Sequence, residues 1–135
     1  MPILRRLCQN DPADASRWNA DIVILKDSPT VIGRHPNCDL VVPWDGISRQ
    51  HCSVAPAIDG SGWSLTCLSS AGGNGTFINR RRVRRAATLR HGDLISFGMG
   101  QDVPPGGNLD RRAIVCTFRF EEFPAGSEPP AARSA

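Results

Sequence analysis

Apolar residues in this chain come in short runs of strand length, each closed by turn-forming residues. Ile3-Leu4-Arg5-Arg6-Leu7 reads as an opening strand, followed by a polar loop from Asn10 to Ser16. Asp21-Ile22-Val23-Ile24-Leu25 is rich in β-branched residues and stops at Asp27-Ser28-Pro29, where aspartate, serine and proline favour a turn. Thr30-Val31-Ile32 runs straight into Gly33-Arg34, and Leu40-Val41-Val42 is bounded by Pro43. Cys52-Ser53-Val54-Ala55 and Trp63-Ser64-Leu65-Thr66-Cys67-Leu68 alternate on either side of Asp59-Gly60-Ser61-Gly62, the pattern of two half-buried strands joined by a hairpin. Thr76-Phe77-Ile78, Leu94-Ile95-Ser96-Phe97 and Ile114-Val115-Cys116-Thr117-Phe118-Arg119-Phe120 complete the set, the last placing Cys116, Phe118 and Phe120 on one face.

No stretch carries a convincing helical period. About nine to eleven short strands without helices predict an all-β sandwich or barrel of two mainly antiparallel sheets. Trp63, Leu65, Phe77, Ile95 and Phe118 are the expected core. The segment from Gly98 to Arg112, with Pro104-Pro105-Gly106-Gly107 inside it, predicts a long loop before the final strand. Residues 124–135 are rich in proline, alanine and serine and read as a disordered tail or linker.

Composition narrows the chemistry. At 135 residues the chain suffices for one domain whose core needs neither disulfides nor a metal. Its five cysteines, Cys8, Cys38, Cys52, Cys67 and Cys116, are scattered, odd in number and without a C-x-x-C pair. Zinc-finger spacing is therefore absent, and free, mostly buried thiols in a reducing compartment are expected. The first residues carry charge but no apolar h-region, so no secretory signal is read, and no run reaches the roughly 18 residues of a membrane helix. Neither a cofactor nor a metal is implied. The net charge of +3 is too mild to indicate a nucleic-acid binder, but arginine outnumbers lysine fifteen to one. The guanidinium fork matches phosphate and carboxylate oxygens, which favours an anionic partner, although a GC-rich genome would also produce the excess.

Three clusters at strand ends hold the candidate chemistry: Gly33-Arg34, then Ser48-Arg49-Gln50-His51, then Asn74-Gly75-Thr76-Phe77-Ile78-Asn79. Loops at the ends of a sandwich gather into binding surfaces. Together these offer guanidiniums, a hydroxyl, an amide and flexible backbone, suited to gripping a dianion and the peptide beside it. A serine near a histidine also raises hydrolysis, but no G-x-S-x-G elbow or acidic third member accompanies the pair. His35 and His91 read as surface loop residues. Arg80 to Arg85, five arginines in six residues, suggests either a nucleic-acid or nuclear-import patch or a solvated hairpin edge. No aromatic residue interleaves with the arginines, so a solvated edge or an accessory electrostatic role is the favoured reading.

The ordered set G-R, S-x-x-H and N-G-T resembles the signature of forkhead-associated (FHA) domains. Val31-Ile32-Gly33-Arg34, Ile47-Ser48-Arg49-Gln50-His51-Cys52 and His91-Gly92-Asp93-Leu94-Ile95-Ser96-Phe97-Gly98 support it, and the likeness covers roughly residues 3 to 121. The resemblance implies an FHA-type sandwich of about 11 strands over residues 1–123, with ligand loops at one end. It also implies a non-catalytic module that binds phosphothreonine in a partner protein during signalling. Arg34 is implied as the principal phosphate contact, Ser48 as a hydroxyl donor, Arg49 as a further phosphate contact and Asn74 as the group that fixes the ligand backbone. Gly33, His51 and Gly75 are implied as architectural supports. The family usually places threonine or serine where this chain has Gly73, which can offer the ligand only its backbone N–H. A monomer is expected, intracellular and nuclear rather than cytoplasmic, with no membrane contact and no nucleic acid. The alternatives are the basic module at Arg80–Arg85 and a degenerate FHA scaffold that dimerises without phosphorylation.

Overall fold

The computed structural model describes residues 2–7, 21–69 and 73–123. Cys8, the loop from Asn10 to Ser16 and the tail 124–135 lie outside them. Among the described residues eleven strands form two sheets: β1 (Ile3–Leu7), β2 (Ile22–Ile24), β3 (Thr30–Gly33), β4 (Leu40–Val41), β5 (Cys52–Pro56), β6 (Trp63–Cys67), β7 (Phe77–Ile78), β8 (Arg81–Arg82), β9 (Ala86–Leu89), β10 (Leu94–Gly98) and β11 (Ile114–Glu121). One sheet has the order β2-β1-β11-β10-β7-β8, the other β4-β3-β5-β6-β9. All pairs are antiparallel except β3 with β4. Among the described residues no helix is long and apolar enough to cross a membrane.

The facing apolar rows close into one core. Leu65, Phe77, Ile95 and Phe118 are buried as expected, beside Ile32, Leu40, Val54, Phe97, Cys116 and Phe120. Trp63 is only half-buried and packs against the edge of this cluster. Among the described residues Cys38, Cys52, Cys67 and Cys116 take part in no disulfide. Burial pushes the Cys52 thiol strongly upward, so it packs as a small apolar group rather than a thiolate. At the β1–β11 seam, Glu121 accepts from Arg5 Nε at 2.7 Å and Arg119 Nε at 2.9 Å, which holds its carboxyl below the usual carboxylate range.

Two strands go beyond the apolar runs. Asn79 and Arg80 both have positive φ, 51° and 71°, the backbone of a two-residue type I′ turn that folds Arg81–Arg82 back onto β7. Ala86–Leu89 then joins the opposite sheet beside β6. The long segment after β10 is pinned by an Arg81–Asn108 bridge and ends in a 3-10 turn at Arg111–Ala113.

Candidate functional site

The register of the five-stranded sheet collects three loops at one end. Ile32 at the end of β3 pairs with Cys52 at the start of β5, which pairs with Cys67 at the end of β6. The β3–β4, β4–β5 and β6–β7 connections therefore leave from the same edge of the sandwich. They carry Arg34, then Ser48 and Arg49, then Gly73 and Asn74.

Close backbone approach begins the site. A Cβ on Gly33 would stand 2.1 Å from the Arg49 carbonyl oxygen, so only glycine lets the β3 end press against the Ser48–Gln50 segment. Two backbone hydrogen bonds seal that contact: Arg34 N–H donates to Ser48 O at 3.0 Å and His35 N–H to Arg49 O at 3.1 Å. Arg34 is exposed, and its Nε donates to Ile47 O at 3.2 Å, which orients the guanidinium along the β4–β5 loop. Among the described residues its Nη groups and the Arg49 side chain meet no carboxylate; the ion pairs involve Arg5, Arg6 and Arg119. The Ser48 hydroxyl likewise has no protein partner among them.

His51 is the brace between loops. It is 1% exposed, and its ring meets Phe97 edge-on with centroids 5.2 Å apart. Ser48 N–H donates to Nδ1 at 3.1 Å, and Nε2 donates to the Gly75 carbonyl at 2.7 Å, which fixes the neutral Nε2–H tautomer. Its backbone carbonyl accepts from Leu68 N–H and Ser69 N–H, joining the same two loops again. Both ring nitrogens are thus committed to backbone, and the Ser48 hydroxyl is not engaged. The pair is not a nucleophile with its base. His35 and His91 sit apart, each using Nδ1 to accept a backbone N–H, from Asn37 and Glu122 respectively.

Burial lowers the His51 pKa; the hydrogen bond to Gly75 opposes this, and the nearby Arg82 cation adds to it. Between that depressed value and about 6.5 the unfolded chain binds more protons than the folded one, so stability falls as pH drops through this window. Wild type should lose stability on acidification from pH 7 to pH 5 with a slope of up to about 1.4 kcal/mol per pH unit. His51→Gln should lack that component. Superimposable stability–pH curves for the two proteins, measured by urea unfolding, would contradict this role for His51.

Residues 73–75 of the third loop are held from two sides. Asn74 Nδ2 donates to Gly46 O at 2.8 Å, tying the β6–β7 loop to the β4–β5 loop. From behind, Arg82 donates to the carbonyls of Gly73 at 2.9 Å, Gly100 at 2.7 Å and Val103 at 2.8 Å. Gly75 adopts φ +81°, and a Cβ there would come within 2.7 Å of the Arg82 guanidinium. Arg82 is only 7% exposed, which corrects the reading of Arg80–Arg85 as a wholly solvated edge. Arg80 is also engaged, its Nε donating to Leu109 O at 2.9 Å, while Arg81, Arg84 and Arg85 are exposed. The signal for Arg82 was its register: across the two-residue turn it faces the fully buried Phe77, and directly opposed residues share a sheet face.

Residues 30–98 match the family model described as FHA domain. The chain belongs to the FHA domain family. It is 33% identical over 81 residues to the glycogen accumulation regulator GarA of Mycolicibacterium smegmatis, covering 59% of this chain and 48% of that protein. It is 30% identical over 86 residues to the probable serine/threonine-protein kinase fhkA of Dictyostelium discoideum, covering 59% of this chain and 14% of that protein. The chain thus spans about half the length of one relative and a small part of the other. The N-terminal FHA domain of Rad53p from S. cerevisiae, solved in complex with a phosphothreonine peptide, shares the fold. Its TM-score is 0.60 at 20% identity, over 88% of this chain and 92% of that one. Because these relatives include bacterial and eukaryotic proteins, FHA membership gives no preference for a nucleus.

Proposed function

We propose that this FHA domain, taken as residues 1–123, binds phosphothreonine in partner proteins and acts in signalling by recognition rather than catalysis. The observation that carries the reading is the meeting of Arg34, Ser48, Arg49 and Asn74 on three mutually braced loops, with two guanidiniums unpaired by carboxylate among the described residues. A phosphothreonine brings close to two negative charges, about −1.5 to −2 at neutral pH, and three acceptor oxygens. Arg34 takes the phosphate through its free Nη edge, Ser48 Oγ–H adds a donor, and Arg49 extends the clasp. Asn74 uses its remaining capacity on the ligand backbone, with the Gly73 N–H beside it. Bracing through His51 and Arg82 means that little order has to be gained on binding.

Family membership and the phosphothreonine peptide bound to the yeast domain support this reading. The engagement of Arg80 and Arg82 with carbonyls argues against a continuous nucleic-acid strip. Titrating phosphothreonine, phosphoserine and unphosphorylated forms of one peptide by calorimetry tests it. The phosphothreonine form should bind best and the unphosphorylated form not detectably. A lost methyl contact is worth about 0.8 kcal/mol by burial alone, so phosphoserine should be weaker by at least that amount. Equal binding of all three forms would sink the reading.

Arg81→Gln, Arg84→Gln and Arg85→Gln combined should reduce the salt dependence of phosphopeptide association but retain the preference for the phosphorylated form. Loss of that preference in a folded triple variant would move the phosphate site to this edge.

A further inference from the structure

The two sheets end side by side at β8 and β9, and a groove of about 500 Å³ runs between these edges. Ile78, Val83 and Ala87 supply apolar lining, and Arg81 and Arg84 stand in its walls. Among the described residues neither arginine has an ion pair or a side-chain hydrogen bond, and no aspartate or glutamate lines the groove. These two guanidiniums therefore differ from Arg80 and Arg82, which are spent on backbone carbonyls.

The strand bordering the groove is an open edge. Among the described residues β9 pairs only with β6, and Cys67 N–H donates to Arg85 O at 2.7 Å, marking Cys67 and Arg85 as a hydrogen-bonded pair. In an antiparallel ladder such pairs alternate, so Ala87 and Leu89 also bond to β6 while Ala86 and Thr88 turn their N–H and C=O groups outward. Among the described residues no backbone partner meets these outward groups. Edge strands commonly carry charge to discourage pairing. Here, however, the charges flank a concave slot, and the outward strand is Ala-Ala-Thr-Leu, with no charged side chain of its own.

The geometry points to strand addition at β9 by an extended, acidic segment of a partner protein, whose carboxylates meet Arg81 and Arg84 while its backbone pairs with Ala86 and Thr88. Main-chain hydrogen bonds and alternate side-chain contacts are the means by which sheet edges capture peptides. Charge complementarity chooses an acidic strand. Among the described residues the groove lining contains no aromatic platform on which the bases of a single-stranded nucleic acid would stack. This contact is independent of the phosphothreonine reading.

The test uses eight-residue peptides alternating glutamate with valine or threonine, a lysine-substituted counterpart and octathymidylate, each added to the isotopically labelled full chain. The acidic peptide should shift the amides of Ala86–Leu89 and slow hydrogen exchange at Ala86 and Thr88. Arg81→Gln with Arg84→Gln should weaken it roughly three- to tenfold, and Arg34→Ala should leave it unchanged. The outcomes that overturn the proposal are clear: no response at β9, equal binding of the lysine peptide, or tighter binding of octathymidylate. Shifts at β9 that grow with protein concentration alone would instead assign this edge to a second copy. Failure of phosphothreonine binding with a normal β9 response would refute the proposed function and leave this one standing.

Discussion

Arg34→Ala should weaken phosphothreonine-peptide binding by about 2–5 kcal/mol, roughly thirtyfold to several thousandfold, while leaving the fold nearly as stable as wild type. The two halves of this expectation have separate causes. Arg34 is exposed, and in the free protein its side chain gives the fold one 3.2 Å hydrogen bond to Ile47 O, a contact worth about 1 kcal/mol at most. In the proposed site its Nη edge takes the phosphate, so truncation should leave a bound phosphate short of its main cation. Arg34→Lys should recover only part of the loss, because an ammonium keeps the charge but lacks the planar fork. Ser48→Ala should be milder, since it removes one hydroxyl and leaves the Ser48 N–H bond to His51 in place. Wild-type affinity in Arg34→Ala, measured by calorimetry, would show that this chain does not use Arg34 for phosphate.

Arg82 should behave in the opposite way. Arg82→Met should cost about 3 kcal/mol of folding stability and lower Tm by on the order of 10 °C. The substitution removes a buried cation that donates to at least three backbone carbonyls, those of Gly73, Gly100 and Val103, and charge-assisted bonds of this kind are among the stronger ones. Phosphopeptide binding should fall as well, through the loop that carries Asn74, even where the variant is fully folded. Arg82→Lys should restore part of the stability, since one ammonium reaches fewer carbonyls than the fork. Thermal unfolding that shows no loss in Arg82→Met would contradict the tether.

The contrast between these two arginines shows what the chain disclosed by itself. The β-branched and alternating runs gave nine of the strands, because apolar periodicity is the signal that a half-buried strand must carry. Arg81–Arg82 and Ala86–Leu89 carried no such signal: one is charged, and alanine has little strand preference. The pairing of Arg81–Arg82 with β7 depends on the tight turn at Asn79–Arg80, where Arg80 holds an uncommon positive φ with its Nε on Leu109 O. That contact spans 29 residues and is invisible locally. The candidate ligand residues were legible because short motifs bring them to strand ends in a fixed order. Arg82 was hidden by its neighbours, since a buried arginine inside a basic run looks like one more solvated charge.

Gly73 illustrates the same limit. As a residue type it promises only a flexible N–H where the family usually has a hydroxyl. In the fold its carbonyl is held by Arg82, the adjacent Asn74 is held by Gly46 O, and Gly75 O is held by His51. Residues 73–75 are therefore held by contacts with Arg82, Gly46 and His51, none of which involves a side chain at position 73.

The most direct test of the central claim is a map of backbone amide shifts in the labelled protein on adding a phosphothreonine peptide. The account predicts that the responding amides cluster at Arg34, Ser48–Arg49 and Gly73–Asn74, and that the same peptide without phosphate leaves them unmoved. Shifts confined to Arg81–Leu89, or an identical response to the unphosphorylated peptide, would contradict it.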